Sequence, residues 1–170
     1  MNPSGETLVI MGAWSPGLLL GAGEWWRMMS FGLLHFGIIH IAFNGIAFSQ
    51  LGPAIEHHSG FARMLVLITF TQLTAAIGSY VWYVQVLQAN AMTVGASGIV
   101  FGLIGYGISY FGGQGGPSAL RQFFIQWLIY GIIFGLLIGA NNAAHVAGAL
   151  GGLLLGYLPE GHMRRPGWTR

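Results

Sequence analysis

The sequence predicts an all-α protein whose helices cross a membrane several times. Of its 170 residues, 54% are hydrophobic and only 6% are charged, whereas a soluble domain usually carries about 25% charged residues. The ten formal charges, six Arg and four Glu, leave three uncharged stretches of 28, 57 and 38 residues. Since a helix needs about 20 apolar residues to cross a bilayer, these stretches predict one, two and two spans.

Composition also limits the chemistry and the partners. The chain has no Cys, which excludes a cysteine hydrolase and thiolate metal sites. It has no Asp either, so a Ser-His-Asp triad cannot be assembled. The few Arg are clustered and do not form a basic stripe interleaved with aromatic residues, which argues against a nucleic-acid partner. Five spans leave roughly seventy residues for loops and ends, so we expect residues 1–170 to form a single membrane domain.

The first 27 residues precede the spans and differ from them. They contain Glu6, they lack a basic start, and Ser15-Pro16-Gly17 interrupts their apolar stretch. These features are typical neither of a signal peptide nor of a membrane-spanning helix. We therefore expect residues 1–27 to form a loop segment at the outer leaflet.

Helix-breaking or polar residues bound the five spans. The first is expected to end at Gly52-Pro53, the second before the polar stretch 88–93, and the third before a Gly-rich linker at 112–117. Pro159 is expected to end the fifth. The expected spans cover about residues 28–51, 61–87, 97–111, 119–137 and 143–158.

The Arg positions predict the orientation of these spans. Cytoplasmic loops carry an excess of Arg and Lys, and five alternating spans place Arg63, Arg121 and the three Arg of the tail 159–170 on one face. Arg27 alone falls on the other face. We therefore expect an integral multi-pass membrane protein with its C-terminus in the cytoplasm.

A few polar residues lie near the outer ends of three predicted spans. Polar groups are costly in a bilayer and usually mark a site. His40 and Asn44 are four residues apart in the first span, so they share a helix face. Ser97 opens the third span, and the fifth opens with Asn141-Asn142 and carries His145.

Glycine spacing predicts how the third and fifth spans pack. The glycines are Gly98, Gly102 and Gly105 in the third span and Gly148, Gly152 and Gly156 in the fifth. Such small-residue ridges let two helix backbones approach closely. If the two ridges face each other, Ser97 and His145 meet near the outer end of the contact. A serine hydroxyl beside an imidazole is a nucleophile with its general base.

The surroundings of this pair suit acyl transfer. Ser97 is expected at a helix N-terminus, where free backbone N–H groups and the helix dipole stabilise a developing oxyanion. His40 and Asn44 both donate hydrogen bonds and would complete an oxyanion hole. With no Asp in the chain, His145 must be oriented by packing, by a backbone carbonyl or by a neighbouring aromatic ring.

Four motifs occur in a fixed order between residues 24 and 156. They are Glu24-Trp25-Trp26-Arg27, the segment 35–44 (HFGIIHIAFN), the segment 95–102 (GASGIVFG) and the segment 144–152 (AHVAGALGG). Together they resemble the rhomboid family of intramembrane serine proteases, in its bacterial form. The resemblance implies that Ser97 is the nucleophile, that His145 is the general base, and that His40 and Asn44 stabilise the oxyanion.

The same resemblance implies further properties. Gly95 and Phe101 would line the site, with Phe101 stacked on the catalytic histidine, and no metal or cofactor would be needed. Substrates would be single-span membrane proteins cut near their outer end, in the cytoplasmic membrane of a bacterium. The family core has six spans, and we expect this chain to lack the first of them.

Two other functions remain open. An inactive rhomboid-like protein would bind membrane helices without cutting them, and two intramembrane histidines are also compatible with a haem or metal ligand pair. Ser97 would then be only a helix N-cap, and His40 and Asn44 would only join helices by hydrogen bonds. No carboxylate accompanies the histidines within the spans, and ligation does not require a serine in a Gly-rich helix start. The sequence therefore favours the Ser-His hydrolase.

Overall fold

A computed structural model describes residues 2–113 and 117–158 of the chain. The predicted tail 159–170, with Pro159, and the middle of the linker at 112–117 lie outside the described residues. The α-helices are Gly5–Met11 (α1), Pro16–Gly21 (α2), Arg27–Ser30 (α3), Ile38–Ser59 (α4), Phe61–Tyr80 (α5), Ser97–Gly113 (α6), Ser118–Leu137 (α7) and Asn142–Tyr157 (α8). A 3₁₀ turn at Phe31–Leu33 follows α3, and a π-helical segment at Val81–Val86 extends α5.

The long helices have the length and composition of membrane spans. Within the described ranges, α4, α7 and the continuous helix Phe61–Val86 are long and apolar enough to cross a bilayer. The 17 residues of α6 and the 16 of α8 extend about 26 and 24 Å at 1.5 Å per residue, close to the roughly 30 Å of a hydrocarbon core. The predicted all-α bundle of apolar helices is confirmed.

The first predicted span, 28–51, was wrong at both ends. The chain is extended at Leu34 and Gly37, so α4 begins only at Ile38. At its other end, α4 passes through Pro53 and continues to Ser59. A proline inside a helix removes one backbone hydrogen bond, but here the helix still buries Leu51 and Ile55 in the core, and this burial maintains the helix. The other four predicted spans agree with the observed helices to within two residues.

Residues 2–27 are more ordered than the predicted loop, because they contain α1, α2 and the start of α3. The buried Arg27 guanidinium donates hydrogen bonds to the carbonyls of Val9 (2.7 Å) and Ala13 (3.0 Å) and pairs with Glu24 (2.5 Å). One residue beyond Ala13, Trp14 exchanges two backbone hydrogen bonds of 3.0 Å with Thr93. The segment is thereby fixed to the loop that leads into α6.

Helix α6 occupies the centre of the bundle. Most of its side chains are buried, and α4, α5, α7 and α8 all contact it, as expected for a helix that is hydrophobic on every face. Glycines let the neighbours come close: a Cβ at Gly102 would overlap Thr71 of α5, and one at Gly107 would overlap Phe124 of α7.

The two predicted glycine ridges face each other, as expected. A Cβ at Gly148 would overlap the carbonyl oxygen of Gly98, and one at Gly152 would overlap the carbonyl oxygen of Gly102. Side chains are therefore excluded from this contact, and the backbones of α6 and α8 touch directly.

Two basic residues lie at the end of the bundle opposite the start of α6. Arg63 donates hydrogen bonds to the carbonyls of Leu155 (3.0 Å) and Leu158 (2.8 Å) at the C-terminus of α8, where a cation interacts favourably with the helix dipole. The side chain of Arg121 lies against Gly112, in the last turn of α6. Both cations thus mark the end that holds the C-termini of α6 and α8.

Candidate active site

The hydroxyl of Ser97 and the imidazole of His145 lie within hydrogen-bonding distance. Ser97 is the first residue of α6 and His145 lies in the first turn of α8, and the close contact of the two helices brings these ends together. The distance between Ser97 Oγ and His145 Nε2 is 2.9 Å. Such a pair can transfer a proton from the hydroxyl to the imidazole.

An aromatic ring orients the imidazole. Phe101, one turn after Ser97, stacks on His145 with ring centroids 4.3 Å apart and planes 7° from parallel. The Nδ1 atom of His145 is buried and has no hydrogen-bond partner among the described residues. Of the three ways of orienting His145 that the sequence left open, the structure therefore shows packing against an aromatic ring.

Gly95 places the loop before α6 against His40 of α4. Its φ of +125° favours glycine, and a Cβ there would lie 2.7 Å from Cε1 and 2.8 Å from Nε2 of His40. The same Cβ would lie 3.8 Å from Nδ2 of Asn44. The backbone at Gly95 thus borders on both polar side chains of α4, and a Cβ at this position would displace the His40 ring.

His40 and Asn44 present hydrogen-bond donors toward this region. The backbone N–H of Phe36 donates to Nδ1 of His40 at 3.3 Å; this bond assigns the proton of a neutral ring to Nε2. Asn44 is 8% exposed, and its Nδ2 has no hydrogen-bond partner within residues 2–113 and 117–158. A buried donor without an acceptor costs free energy, which is offset if a ligand supplies the acceptor.

These side chains line one cavity of about 450 Å³ between α4 and α7. The four predicted polar residues, Ser97, His145, His40 and Asn44, all border it, and the rest of its wall is largely apolar. An apolar pocket with a few convergent polar groups is the usual form of a binding site. A larger apolar groove, of about 790 Å³, lies between α5 and α8 and is lined by none of these four residues.

Comparison with known proteins identifies the family. The family model of the rhomboid domain matches residues 22–159, a range that contains all four polar residues and the helices that carry them. The chain belongs to the rhomboid family. It is an integral membrane protein with the all-α helical bundle of that family.

Three relatives show how this rhomboid compares with other members. Rhomboid protease GluP of Bacillus subtilis (strain 168) is 33% identical over 100 residues, 59% of this chain and 18% of GluP. RHOMBOID-like protein 4 of Arabidopsis thaliana is 30% identical over 130 residues, 76% of this chain and 29% of the relative. Putative rhomboid protease YdcA of Bacillus subtilis (strain 168) is 34% identical over 83 residues, 49% of this chain and 40% of YdcA. The chain thus spans less than half the length of each relative.

Two structural features of this rhomboid were not predicted. Gly131 and Gly135 let α7 approach the stacked rings: a Cβ at Gly131 would lie 2.7 Å from Cζ of Phe101, and one at Gly135 would lie 3.4 Å from Nδ1 of His145. Because small residues four apart let helices approach closely, the spacing of Gly131 and Gly135 could have predicted this contact. The second feature is the set of hydrogen bonds made by Asn141, which the sequence marked only as a polar residue at a helix start.

Proposed function

We propose that this rhomboid is a serine-type intramembrane endopeptidase, with Ser97 as the nucleophile and His145 as the general base. One observation carries the proposal: the 2.9 Å contact of these two side chains lies in a cavity that His40 and Asn44 also border. The names of two relatives, Rhomboid protease GluP and Putative rhomboid protease YdcA, agree with this assignment.

In the first step, Ser97 Oγ attacks the carbonyl carbon of the scissile peptide while its proton passes to His145 Nε2. The carbonyl oxygen becomes a tetrahedral oxyanion. We assign its stabilisation to His40 Nε2–H, to Asn44 Nδ2–H and to the free backbone N–H groups at the start of α6. The unpartnered Nδ2 of Asn44 supports this assignment, because the oxyanion would be the acceptor that it lacks.

The remaining steps return the proton and release the products. The imidazolium of His145 donates its proton to the leaving nitrogen, the C–N bond breaks, and the acyl group stays on Ser97. A water molecule then loses a proton to His145 and attacks the ester, and Ser97 leaves with that proton. Phe101 holds the imidazole in place through both steps, since none of the described residues bonds to its Nδ1.

We infer that the substrates are single-span membrane proteins that reach Ser97 from between α4 and α7. The cavity is bordered there by large apolar and aromatic side chains: Phe43, Ile46, Trp127, Tyr130 and Phe134. The rings of Phe43 and Phe134 meet with centroids 4.4 Å apart. A substrate entering by this route would separate these rings and replace their contact with its own apolar side chains.

The orientation follows from the basic residues. Arg63 and Arg121 lie at the end of the bundle opposite Ser97, and the cytoplasmic end of a membrane protein carries the excess of Arg. We therefore place the site toward the outer face, residues 1–27 at the outer leaflet and the C-terminus in the cytoplasm. The two Bacillus subtilis relatives support the cytoplasmic membrane of a bacterium as the location.

The histidine-ligand alternative fits the contacts less well. His145 Nε2 faces Ser97 at 2.9 Å, so a metal or haem iron bound at this nitrogen would displace the serine hydroxyl. In the part of the chain that the structure describes, no group of three or more His, Cys, Asp or Glu side chains is placed to hold a metal.

The test is cleavage of a fluorescently labelled single-span substrate by the protein in liposomes, together with labelling by a fluorophosphonate. Wild type should cleave and become labelled, Ser97→Ala should do neither, and Ser109→Ala should behave like wild type. Ser109 is a matched control because it is a buried serine of the same helix whose hydroxyl bonds only within that helix among the described residues. Equal cleavage by wild type and Ser97→Ala would refute the proposal. Binding of the substrate without cleavage or labelling would favour the inactive rhomboid-like protein instead.

A further inference from the structure

The side chain of Asn141 connects three elements at the end of the bundle that holds Ser97. Its Nδ2 donates to Ser79 Oγ in α5 at 2.8 Å and to Thr93 Oγ1 in the loop before α6 at 3.0 Å. Its Oδ1 accepts from the backbone N–H of Ala144 at 3.1 Å and so caps the start of α8. One amide group therefore uses both of its ends to join α5, α8 and the loop.

Two of the three bonded side chains belong to residues that shortly precede the proposed catalytic pair in the chain. Thr93 precedes Ser97 by four residues, and Asn141 precedes His145 by four. The backbone N–H of His145 also donates to the carbonyl of Asn141 at 3.3 Å. The amide thus connects the chain that leads to the nucleophile with the chain that leads to the base, without bordering the cavity itself.

The directions of these hydrogen bonds are determined by their partners. The Ser79 hydroxyl donates to the carbonyl of Ala75 at 2.9 Å, so toward Asn141 it acts as the acceptor. Ser79 is fully buried and Thr93 is 7% exposed, so bulk water cannot replace the amide. Loss of the amide would leave buried polar groups without a partner, which costs more than an exposed hydrogen bond.

The α6–α8 contact explains why such a connection is needed. Where Gly148 meets Gly98, backbone packs against backbone, so no side chains interlock at that point to resist sliding or rotation of α8. Among the described residues, no carboxylate bonds to His145 Nδ1 and holds the ring independently of its helix. The position of the imidazole therefore depends on how the first turn of α8 is held.

We infer that Asn141 is a positioning residue that sets the distance between Ser97 Oγ and His145 Nε2. The inference rests on the proposed Ser-His mechanism. Asn141 touches neither the substrate nor the reacting atoms; it acts through the placement of Thr93 and His145. A displacement of about 1 Å at a catalytic pair is enough to lower the rate by about 100-fold.

The first test compares substitutions at Thr93. Thr93→Val keeps the shape of the side chain but removes the acceptor of the amide, whereas Thr93→Ser keeps the hydroxyl. We expect Thr93→Val to lower kcat and the rate of fluorophosphonate labelling of Ser97 by about 10- to 100-fold with little change in KM. Thr93→Ser should stay close to wild type. Thr74→Val is the matched control, because the Thr74 hydroxyl bonds within α5 and its side chain meets α8 farther along, at Gly151.

The second test changes the amide itself. Asn141→Ser keeps a residue that caps helices about as well as Asn, but its side chain is too short to reach Ser79 and Thr93. We expect the same loss of labelling rate as for Thr93→Val. The double variant should be no slower than the slower single variant, because both substitutions break one connection and their effects do not add.

The outcomes separate this inference from the proposed function. If Ser97→Ala is not labelled but Thr93→Val and Asn141→Ser label as fast as wild type, the positioning role is refuted and the mechanism stands. A Thr93→Ser variant as slow as Thr93→Val would also refute the role. Labelling of every variant alike, Ser97→Ala included, would refute the mechanism. If Asn141→Ser does not fold, the comparison of the two Thr93 variants decides the matter alone.

Discussion

The ring of Phe101 lies parallel to the imidazole of His145, with their centroids 4.3 Å apart. Phe101 lies one turn after Ser97 in α6, His145 lies in the first turn of α8, and the stacking would take over the orienting role that the carboxylate has in a Ser-His-Asp triad. A carboxylate would also stabilise the imidazolium by its charge, whereas an aromatic ring contributes mainly its contact surface. The arrangement therefore depends on shape complementarity more than on charge.

Replacing this ring should impair catalysis more than folding. In Phe101→Leu the side chain remains apolar but no longer stacks, so the imidazole gains rotational freedom. We expect kcat to fall by about tenfold with KM nearly unchanged, measured on the labelled single-span substrate. Phe111→Leu, a substitution of the same kind at a buried position of α6 remote from the site, should leave kcat near wild type. Equal losses of kcat in the two variants would show that the stacking has no specific role.

Asn44 offers a substitution that separates activity from stability. Asn44→Leu replaces a buried amide, whose Nδ2 has no partner in the described chain, by an apolar side chain of similar size. If this donor stabilises the oxyanion, kcat should fall by about 10² to 10³. The melting temperature should stay the same or rise, because a buried unpaired donor is removed. A fall in melting temperature with unchanged kcat would assign Asn44 to helix packing instead.

The loop before α6 requires glycine at position 95. In Gly95→Ala, the new methyl group would meet the His40 ring at 2.7 Å, and the backbone would hold a φ of +125° that alanine rarely adopts. We expect cleavage to fall by about 100-fold as His40 is displaced. Gly23→Ala separates the two causes, since Gly23 also has a positive φ, of +70°, but no described atom within 4 Å of the added Cβ. Cleavage by Gly23→Ala should remain near wild type.

The direct contact of α6 and α8 predicts a strong effect at Gly148. In Gly148→Ala, the methyl group would overlap the carbonyl oxygen of Gly98 and force the helices apart. Overpacking of this kind costs about 1–3 kcal/mol, and it would also separate Ser97 from His145. We expect a lower melting temperature together with a loss of cleavage. Gly45→Ala in α4, where no described atom lies within 4 Å of the added Cβ, should be as stable as wild type or more so.

Much of the fold could be predicted because its signals are local. Charge-free stretches and helix-breaking residues located four of the five long helices to within two residues. The first helix was misplaced at its start, because the backbone is extended at Leu34 and Gly37, and at its end, because Pro53 was expected to end it. Local propensity disfavours a helix through proline, but burial of Leu51 and Ile55 in the core outweighs that preference.

The candidate site was predictable in part. Ser97 and His145 are 48 residues apart, yet their proximity followed from two glycine ridges that are visible as a spacing of three or four residues. Phe101, the ring that stacks on His145, was predicted only through the family resemblance. The residues alone left three ways of orienting the imidazole open: packing, a backbone carbonyl or a neighbouring aromatic ring.

The sequence by itself determined the class of fold, the two helices that meet through glycine ridges and the residues of the proposed catalytic pair, because helical periodicity and small-residue spacing act within one segment. Only the tertiary structure decided how the pair is held. The partners of Asn141 lie 62 and 48 residues away in the chain, and no periodicity connects them. Their contact results from the packing of α5, α6 and α8 together, and it forms because an amide buried among those helices must satisfy its hydrogen bonds there.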